Sequence, residues 1–325
     1  MAKTKSSSHS STVVAIVGAA SLLGRELQEL IRDGKLPWTL HLLSGEAEGA
    51  GALMSTGEEA TYLQPATAEI LKQSAVTLLA GTPESSLLAR ELHPKGSFVD
   101  LTGTLEAGAK LAAPRIGIDP KGRLLAIAHP AAIALAFLFS KLAKACEIER
   151  TLTTVLEPAS ERGHAGILEL QKQSAALLAF QPLPKVVFDA QLAFNMLPEF
   201  GEDAPLQLAR IEERISRDLN RLAGLDASIR LVQAPVFHGY SFLVWVRFVS
   251  PVADLETVFA GDPLVDLRLH GVEAPTNVGV TQQDGYQIGA IRRDRADANA
   301  YWVWMTCDNL RTAASNGLAA AEQFL

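Results

Sequence analysis

The sequence predicts a two-domain protein: an α/β domain built on a largely parallel, Rossmann-like sheet, followed by an α+β domain. Three observations carry this prediction. The chain has 325 residues, enough for about two domains. Its first part alternates short apolar β runs with helical stretches, the pattern of a parallel sheet with crossover helices. After about Glu147 the strand-like runs lengthen and the alternation stops.

The elements follow in order. Met1 to Thr12 is rich in Ser and Lys with no apolar stretch, and reads as a disordered tail at 1–12. Val13 to Val17 is a β-branched run that ends at Gly18, and Leu22 to Asp33 has helical apolar spacing, so strand, tight turn and helix succeed one another. Further strands are expected at 40–43, 76–80, 98–101 and 124–128, with a helix at 85–92. Leu124 to Phe139 lacks Lys, Arg, Asp and Glu, but His129-Pro130 interrupts it and its apolar part is short of the roughly 20 residues of a membrane span. It reads as a buried strand followed by a helix with Pro130 in its first turn. In the second domain, strands are expected at 150–156, 228–236 and 241–248, with a helix at 207–222. The last helix, 309–324, has small-residue spacing suited to packing back on the first domain. The expected division is therefore 13–146 with 309–325, and 147–308.

Composition narrows the partners. With 48% hydrophobic residues, 20% charged residues and a net charge of -7, the chain is an ordinary globular protein poorly suited to nucleic acid or an anionic membrane. Two cysteines, Cys146 and Cys307, form neither a disulfide framework nor a zinc cluster, which fits a reducing, cytoplasmic setting. No metal site is expected.

The turn Gly18-Ala19-Ala20-Ser21-Leu22-Leu23-Gly24 is a variant dinucleotide fingerprint. Gly18 permits the tight turn, Gly24 permits close helix packing, and the helix start offers N–H groups to a pyrophosphate. Ser21 replaces the middle glycine and crowds the place where backbone must approach phosphate, so a turn that binds nothing stays an equal alternative. Glu46, just past the second strand, suits free ribose hydroxyls and repels a 2′-phosphate, favouring NAD over NADP; as a solvated loop carboxylate it would have neither effect.

From Val13 onward the chain resembles the aspartate-semialdehyde dehydrogenases. The resemblance rests on Gly18 to Gly24, Ala80-Gly81-Thr82-Pro83, Phe98-Val99-Asp100, Phe194-Asn195-Met196-Leu197-Pro198, Ala234-Pro235-Val236-Phe237 and Asp308-Asn309-Leu310-Arg311. It implies a Rossmann domain for NADP, an α+β domain that forms a homodimer, and a place in amino-acid biosynthesis. It further implies a cysteine thiolate that attacks the aldehyde, a base, and cations that hold substrate and phosphate. This chain departs at each of these positions. The nucleophile position holds Ala132, the following glutamine is Glu157, the histidine base is Tyr240, and the neighbouring arginine is Gln233. In the first domain Glu106 stands for an arginine of the anion site and Glu46 for one near the NADP phosphate. Arg214 matches a lysine, and Asn309 matches the residue that approaches the nicotinamide. The chain looks closest to a degenerate branch that keeps the Phe-Asn-Met-Leu-Pro and Gln-Ala-Pro-Val-Phe stretches. A like charge about 4 Å from a bound anion costs roughly 4 kcal/mol, about three orders of magnitude in affinity. The missing nucleophile weighs more, because no covalent intermediate forms without it. The reading is a member that has lost the dehydrogenase activity.

Other chemistry stays open. His238 and Tyr240, two apart in an extended strand, would emerge on one face about 6.6 Å apart and form an acid–base pair, or His238 serves only the fold. An active NAD(P)-dependent oxidoreductase acting on an aldehyde or oxo group would use them without a covalent step; a structural partner in a mixed dimer would need neither. Cys307 follows an apolar run and reads as packing, and Cys146 lies at the far end of its helix. Glu157, Glu161 and His164 form a loose carboxylate–imidazole grouping too weak to assign a metal. Arg292-Arg293-Asp294-Arg295 reads as a solvated turn and Glu212-Glu213-Arg214, with Arg217 and Arg221, as a surface helix face.

Overall fold

The structure is a computed structural model that describes residues 12–45, 53–56, 59–269 and 271–325. Residues 1–11, most of the expected tail, and Glu46 lie outside the described residues. The described residues form two compact units: those from 12 to 114 with 119–127 and 314–325, and 115–118 with those from 128 to 313.

The first unit is a six-stranded sheet in the order β2-β1-β5-β6-β8-β7, with every pair parallel. Its strands are β1 (Thr12–Val17), β2 (Trp38–Leu43), β5 (Val76–Leu79), β6 (Phe98–Asp100), β7 (Lys110–Ala112) and β8 (Leu124–Ile127). Between β2 and β5 lies a hairpin of β3 (Leu53–Thr56) and β4 (Glu59–Tyr62). The hairpin strands and β7, at four and three residues, are too short to read as strands from sequence. Helices α1 (Leu22–Asp33), α2 (Ala68–Gln73) and α3 (Pro83–Leu92) are capped by Ser21, Thr67 and Thr82, whose side chains accept backbone N–H groups of the first turn. Central strands β1 and β5 are buried, as expected for a sheet covered on both faces. Gly317, in the last helix, sits where a Cβ would meet the Leu101 side chain, so 314–325 packs closely on this unit.

The second unit holds a mixed sheet in the order β10-β9-β11-β14-β13-β12. The strands are β9 (Ile148–Glu157), β10 (Ser228–Gln233), β11 (Tyr240–Phe248), β12 (Val265–Arg268), β13 (Tyr286–Arg293) and β14 (Ala300–Cys307). Period-2 burial on β11 sends Tyr240, Phe242, Val244, Val246 and Phe248 to the inner face, where they join the core of helices α4 (Pro130–Leu142) and α6 (Leu208–Ala223). Helix α5 (Gly163–Leu178) follows β9, and α7 (Asn309–Ala321) follows β14. α4 is apolar nearly all round and ten of its thirteen residues are buried. It packs against α6, and so groups with this unit instead of the first domain, where the sequence reading placed it by ending that domain at Cys146. α6 buries Leu208, Ile211, Ile215, Leu219 and, in the same stripe, Asp218; it ends at Gly224 in the left-handed conformation. Among the described residues no helix is long and apolar enough to cross a membrane.

Gly24 in α1 tests the packing at the first turn. A Cβ there would run into the Gly18 carbonyl and the Ala19 backbone, neither of which can yield as a side chain would. Gly24→Ala is therefore expected to destabilise the chain by about 1–3 kcal/mol, measured by urea denaturation, despite the better helix propensity of alanine.

Candidate functional site

In the second unit the sheet register builds a polar row at one end of a largely apolar face. Gln233 on β10 pairs with Glu157 on β9, and Tyr240 on β11 pairs with Cys307 on β14. The β9–β11 pairing of Leu156 with Ser241, continued one step, sets Glu157 across from Tyr240. All four side chains are fully buried. Gln233 donates through Nε2 to the Glu157 carbonyl at 2.8 Å, stapling the two strands.

Above this row stands the start of α4. His129 is its N-cap: Nδ1 accepts the Ala131 N–H at 3.3 Å, while its own N–H donates to Asp218 Oδ2 at 3.0 Å. Burial, then the Arg214 and Arg162 guanidinium groups, hold the imidazole well below its usual pKa, so it is neutral at physiological pH. With Nδ1 accepting, the ring proton sits on Nε2, which faces Glu161 Oε2 at 4.0 Å. The His129 ring also lies 6.3 Å from that of Tyr240, centroid to centroid.

Glu161 and Arg162 come from the short turn after β9. Arg162 donates to Glu157 Oε1 at 3.1 Å. Burial nevertheless raises the Glu157 carboxyl to about 7 against the pull of Arg162, and raises that of Glu161 as well. Burial and then the two carboxylates push the Tyr240 phenol far up, so it stays protonated. Tyr240 Oη and Glu157 Oε2 each lack a hydrogen-bond partner among the described residues, although the phenol is near enough to favour the ionised form of both acids. Arg214, on α6, lies 3.7 Å from Asp218 Oδ2.

Glu157, Gln233 and Tyr240 thus lie side by side at the sheet end, with differences from the sequence expectation elsewhere. Ala132 is fully buried in the core at the first turn of α4. His238 does not share a strand face with Tyr240: β11 begins at Tyr240, and Gly239 at φ +81° turns the chain between them. His164 is exposed, so the imidazole beside Glu157 and Glu161 is His129. His129, Arg162 and Asp218 were not singled out in the sequence. The one available signal was an acid inside the apolar stripe of α6. Asn309 is buried with its amide in use: Nδ2 donates to Glu161 Oε1 at 2.8 Å, and Oδ1 accepts the Gly239 N–H at 3.2 Å. Burial raises the Cys307 thiol, leaving it inert, and Cys146 bonds Ser250 beyond the C-terminal end of α4, a helix that rises roughly 15 Å between Ala132 and Leu142.

In the first unit, the dinucleotide-type turn is closed on itself. The Gly18 and Ala19 N–H groups bond the Leu43 carbonyl, and the Ser21 N–H bonds that of Gly18. Ser21 Oγ accepts the Gly24 N–H at 2.9 Å and donates to the Ala80 carbonyl at 2.7 Å. Gly18, at φ +82°, faces the backbone of Gly81, where a Cβ would clash. Its glycine is therefore required by the chain crossing itself. A pyrophosphate at this helix start would have to displace the Ser21 hydroxyl, so the residues present do not fit one as they stand. Glu106 is half-buried in the loop after β6.

The outer face of the second sheet is apolar in part. Leu152, Trp245 and Trp302 align in register across β9, β11 and β14, and Leu243 pairs with Trp304 beside them. A cleft of about 710 Å³ opens there, lined by Leu243, Trp302, Trp304 and the arginines of 292–295. Those arginines are not a solvated turn alone: Arg293 bonds the Tyr301 hydroxyl, and Asp294 accepts both Trp245 and Trp302 indole N–H groups.

Comparison with known proteins agrees with this architecture. The family described as semialdehyde dehydrogenase, dimerisation domain, matches residues 140–312. A USG-1 protein homolog of Pseudomonas aeruginosa is 29% identical over 93% of this chain and 94% of its own. An aspartate-semialdehyde dehydrogenase of Rickettsia bellii is 25% identical over 96% of this chain and 97% of its own. The solved structure of a probable aspartate-semialdehyde dehydrogenase from Pseudomonas aeruginosa has a TM-score of 0.84 at 28% identity, covering 96% of this chain and 98% of that one. A Candida albicans aspartate semialdehyde dehydrogenase with NADP, at 12% identity and a TM-score of 0.69 over 96% of this chain and 98% of that one, shares the fold alone.

The buried acid pair sets a pH dependence. The folded chain keeps a proton on Glu157 up to about pH 7, whereas the unfolded chain releases it near 4.5. Stability contributed by this group therefore falls as pH rises between those values, by at most about 3 kcal/mol, and levels off above. Glu157→Gln is expected to flatten the slope of unfolding free energy between pH 5 and 8, read by urea melts in chelated buffer.

Proposed function

The chain belongs to the semialdehyde dehydrogenase family, and from that premise we propose that it is a member without the dehydrogenase activity, acting as a binding or regulatory protein. The observation that carries this is Ala132: the position aligned with the nucleophile is a methyl group packed in the core. Around it the base position is a protonated phenol and the glutamine position an acid. Neither cysteine offers a substitute, since Cys307 is buried with its thiol pushed up and Cys146 lies at the other end of α4.

Dinucleotide binding carries forward in weaker form. The capped turn opposes a pyrophosphate, and Glu46 disfavours a 2′-phosphate, so NAD is the dinucleotide a titration should find before NADP. A second copy is the partner proposed for the outer sheet face, because the matching family domain is described as a dimerisation domain and Leu152, Leu243 and Trp302 are exposed there. One observation favours the rival reading, an NAD(P)-dependent oxidoreductase without covalent catalysis: His129 and Tyr240 remain together beside two acids, a set able to move protons.

Purified protein given aspartate semialdehyde, NADP and phosphate is expected to show no turnover, and Ala132→Cys alone to restore none, because Glu157, Gln233 and Glu106 still oppose the reaction. A rate abolished by Tyr240→Phe or His129→Gln would establish the rival, and rescue by Ala132→Cys would show the acid positions to be harmless. Separately, Trp302→Arg is expected to weaken self-association at least about tenfold in sedimentation experiments while leaving the urea midpoint nearly unchanged.

A further inference from the structure

We propose that His129, Glu157 and Glu161 form a binding site for a divalent transition-metal ion of the zinc type, at the polar end of the second sheet. One ligand-capable atom from each residue lies within 4.8 Å of the other two. A tetrahedral ion with bonds of about 2.0–2.2 Å needs its ligands about 3.3–3.6 Å apart, so closing on the ion asks each side chain for a shift of about an ångström.

The second observation is a buried acceptor whose neighbouring donor, the Tyr240 phenol, stands outside hydrogen-bond geometry. Arg162 occupies only Oε1 of Glu157, and Oε2 has no partner among the described residues although the residue is fully buried. A buried orphan of this kind marks a missing water or ion. The surrounding bonds are those of an outer shell: Arg162 orients Glu157, and Asn309 Nδ2 orients Glu161 through Oε1, leaving Oε2 turned to the imidazole.

Charge decides whether a cation is tolerated. The two guanidinium groups work against one, yet each has an acid of its own: Arg162 pairs with Glu157 and Arg214 with Asp218. Glu161, which both guanidinium groups also attract, is the carboxylate that faces His129. Ligation at Nε2 moves the ring proton to Nδ1 and gives up the Ala131 contact, which at 3.3 Å is a long hydrogen bond. An imidazole with two carboxylates suits zinc over magnesium or calcium, which prefer all-oxygen shells. Glu161, 14% exposed, is the point of entry. The ion would leave a fourth position beside the Tyr240 hydroxyl for water. None of this depends on whether the chain has lost aldehyde turnover.

The test is titration of the chelator-treated full chain with Zn²⁺ by calorimetry, followed by metal counting after dialysis. One ion per chain is expected, with affinity weakened at least about tenfold in Glu161→Gln and in Glu157→Gln. His129→Ala is expected to behave alike, but it also removes a helix cap; the two isosteric variants carry the test if it does not fold. Substoichiometric zinc, affinity unchanged in both carboxamide variants, or equal binding of Mg²⁺ would each overturn the proposal.

Discussion

The second unit depends on burying opposite charges together. Asp218 sits in the apolar stripe of α6, and its carboxylate accepts the backbone N–H of His129 just where α4 begins. An isolated ion there would cost several kcal/mol; with Arg214 beside it and a backbone donor in place, the acid instead fixes how two apolar helices meet. At the sheet end Arg162 donates to Glu157, whose carboxyl burial lifts to about 7, and Gln233 ties the strand carrying the acid to its neighbour. Because the partners come from a helix start, a strand end and a turn, moving any one leaves a charge stranded. What is held in place is an imidazole without charge, aimed at an acid.

Much of this was legible in residue order. The helix at 22–33 was legible from Gly18 before it and helical apolar spacing within it, whereas the capping by Ser21 appears only in the structure. Strands β9, β10 and β11 of the second sheet were visible as long strand-like runs, whereas β12 and β13 were not, the end of β13 reading as a solvated turn. Pro130, expected in the first turn of a helix, starts α4 as its first residue. The rest depended on tertiary placement. His129 directly follows an apolar strand and precedes a proline, so locally it reads as a connector, and only the fold brings Glu161 to it. His238 misled for the opposite reason: spacing of two implies one face only if the chain stays extended, and Gly239 turns it. The hairpin at 53–62 and the three-residue β7 are too short to show periodicity.

The two units contrast in what their motifs mean. In the first, Gly18, Gly45 and Gly81 bring three backbone segments together at the strand ends, and a side chain on Gly18 or Gly81 would collide with neighbouring atoms. Such glycines are required whether or not a ligand is present, so their spacing is weak evidence of a nucleotide. Ser21 fills the helix start that a phosphate would use. In the second unit the residues at the substituted positions form a connected polar network with its own geometry.

The outer sheet face has a practical corollary. Of the four tryptophans in the chain, Trp245, Trp302 and Trp304 belong to that face and only Trp38 lies elsewhere, on β2. Two of the three share one carboxylate, Asp294, through their indole N–H groups. Intrinsic emission from this molecule is therefore chiefly a reporter of whatever covers or uncovers the sheet's outer surface. Spectral changes on adding a small molecule should be assigned to that surface before they are credited to the buried acids on the other side.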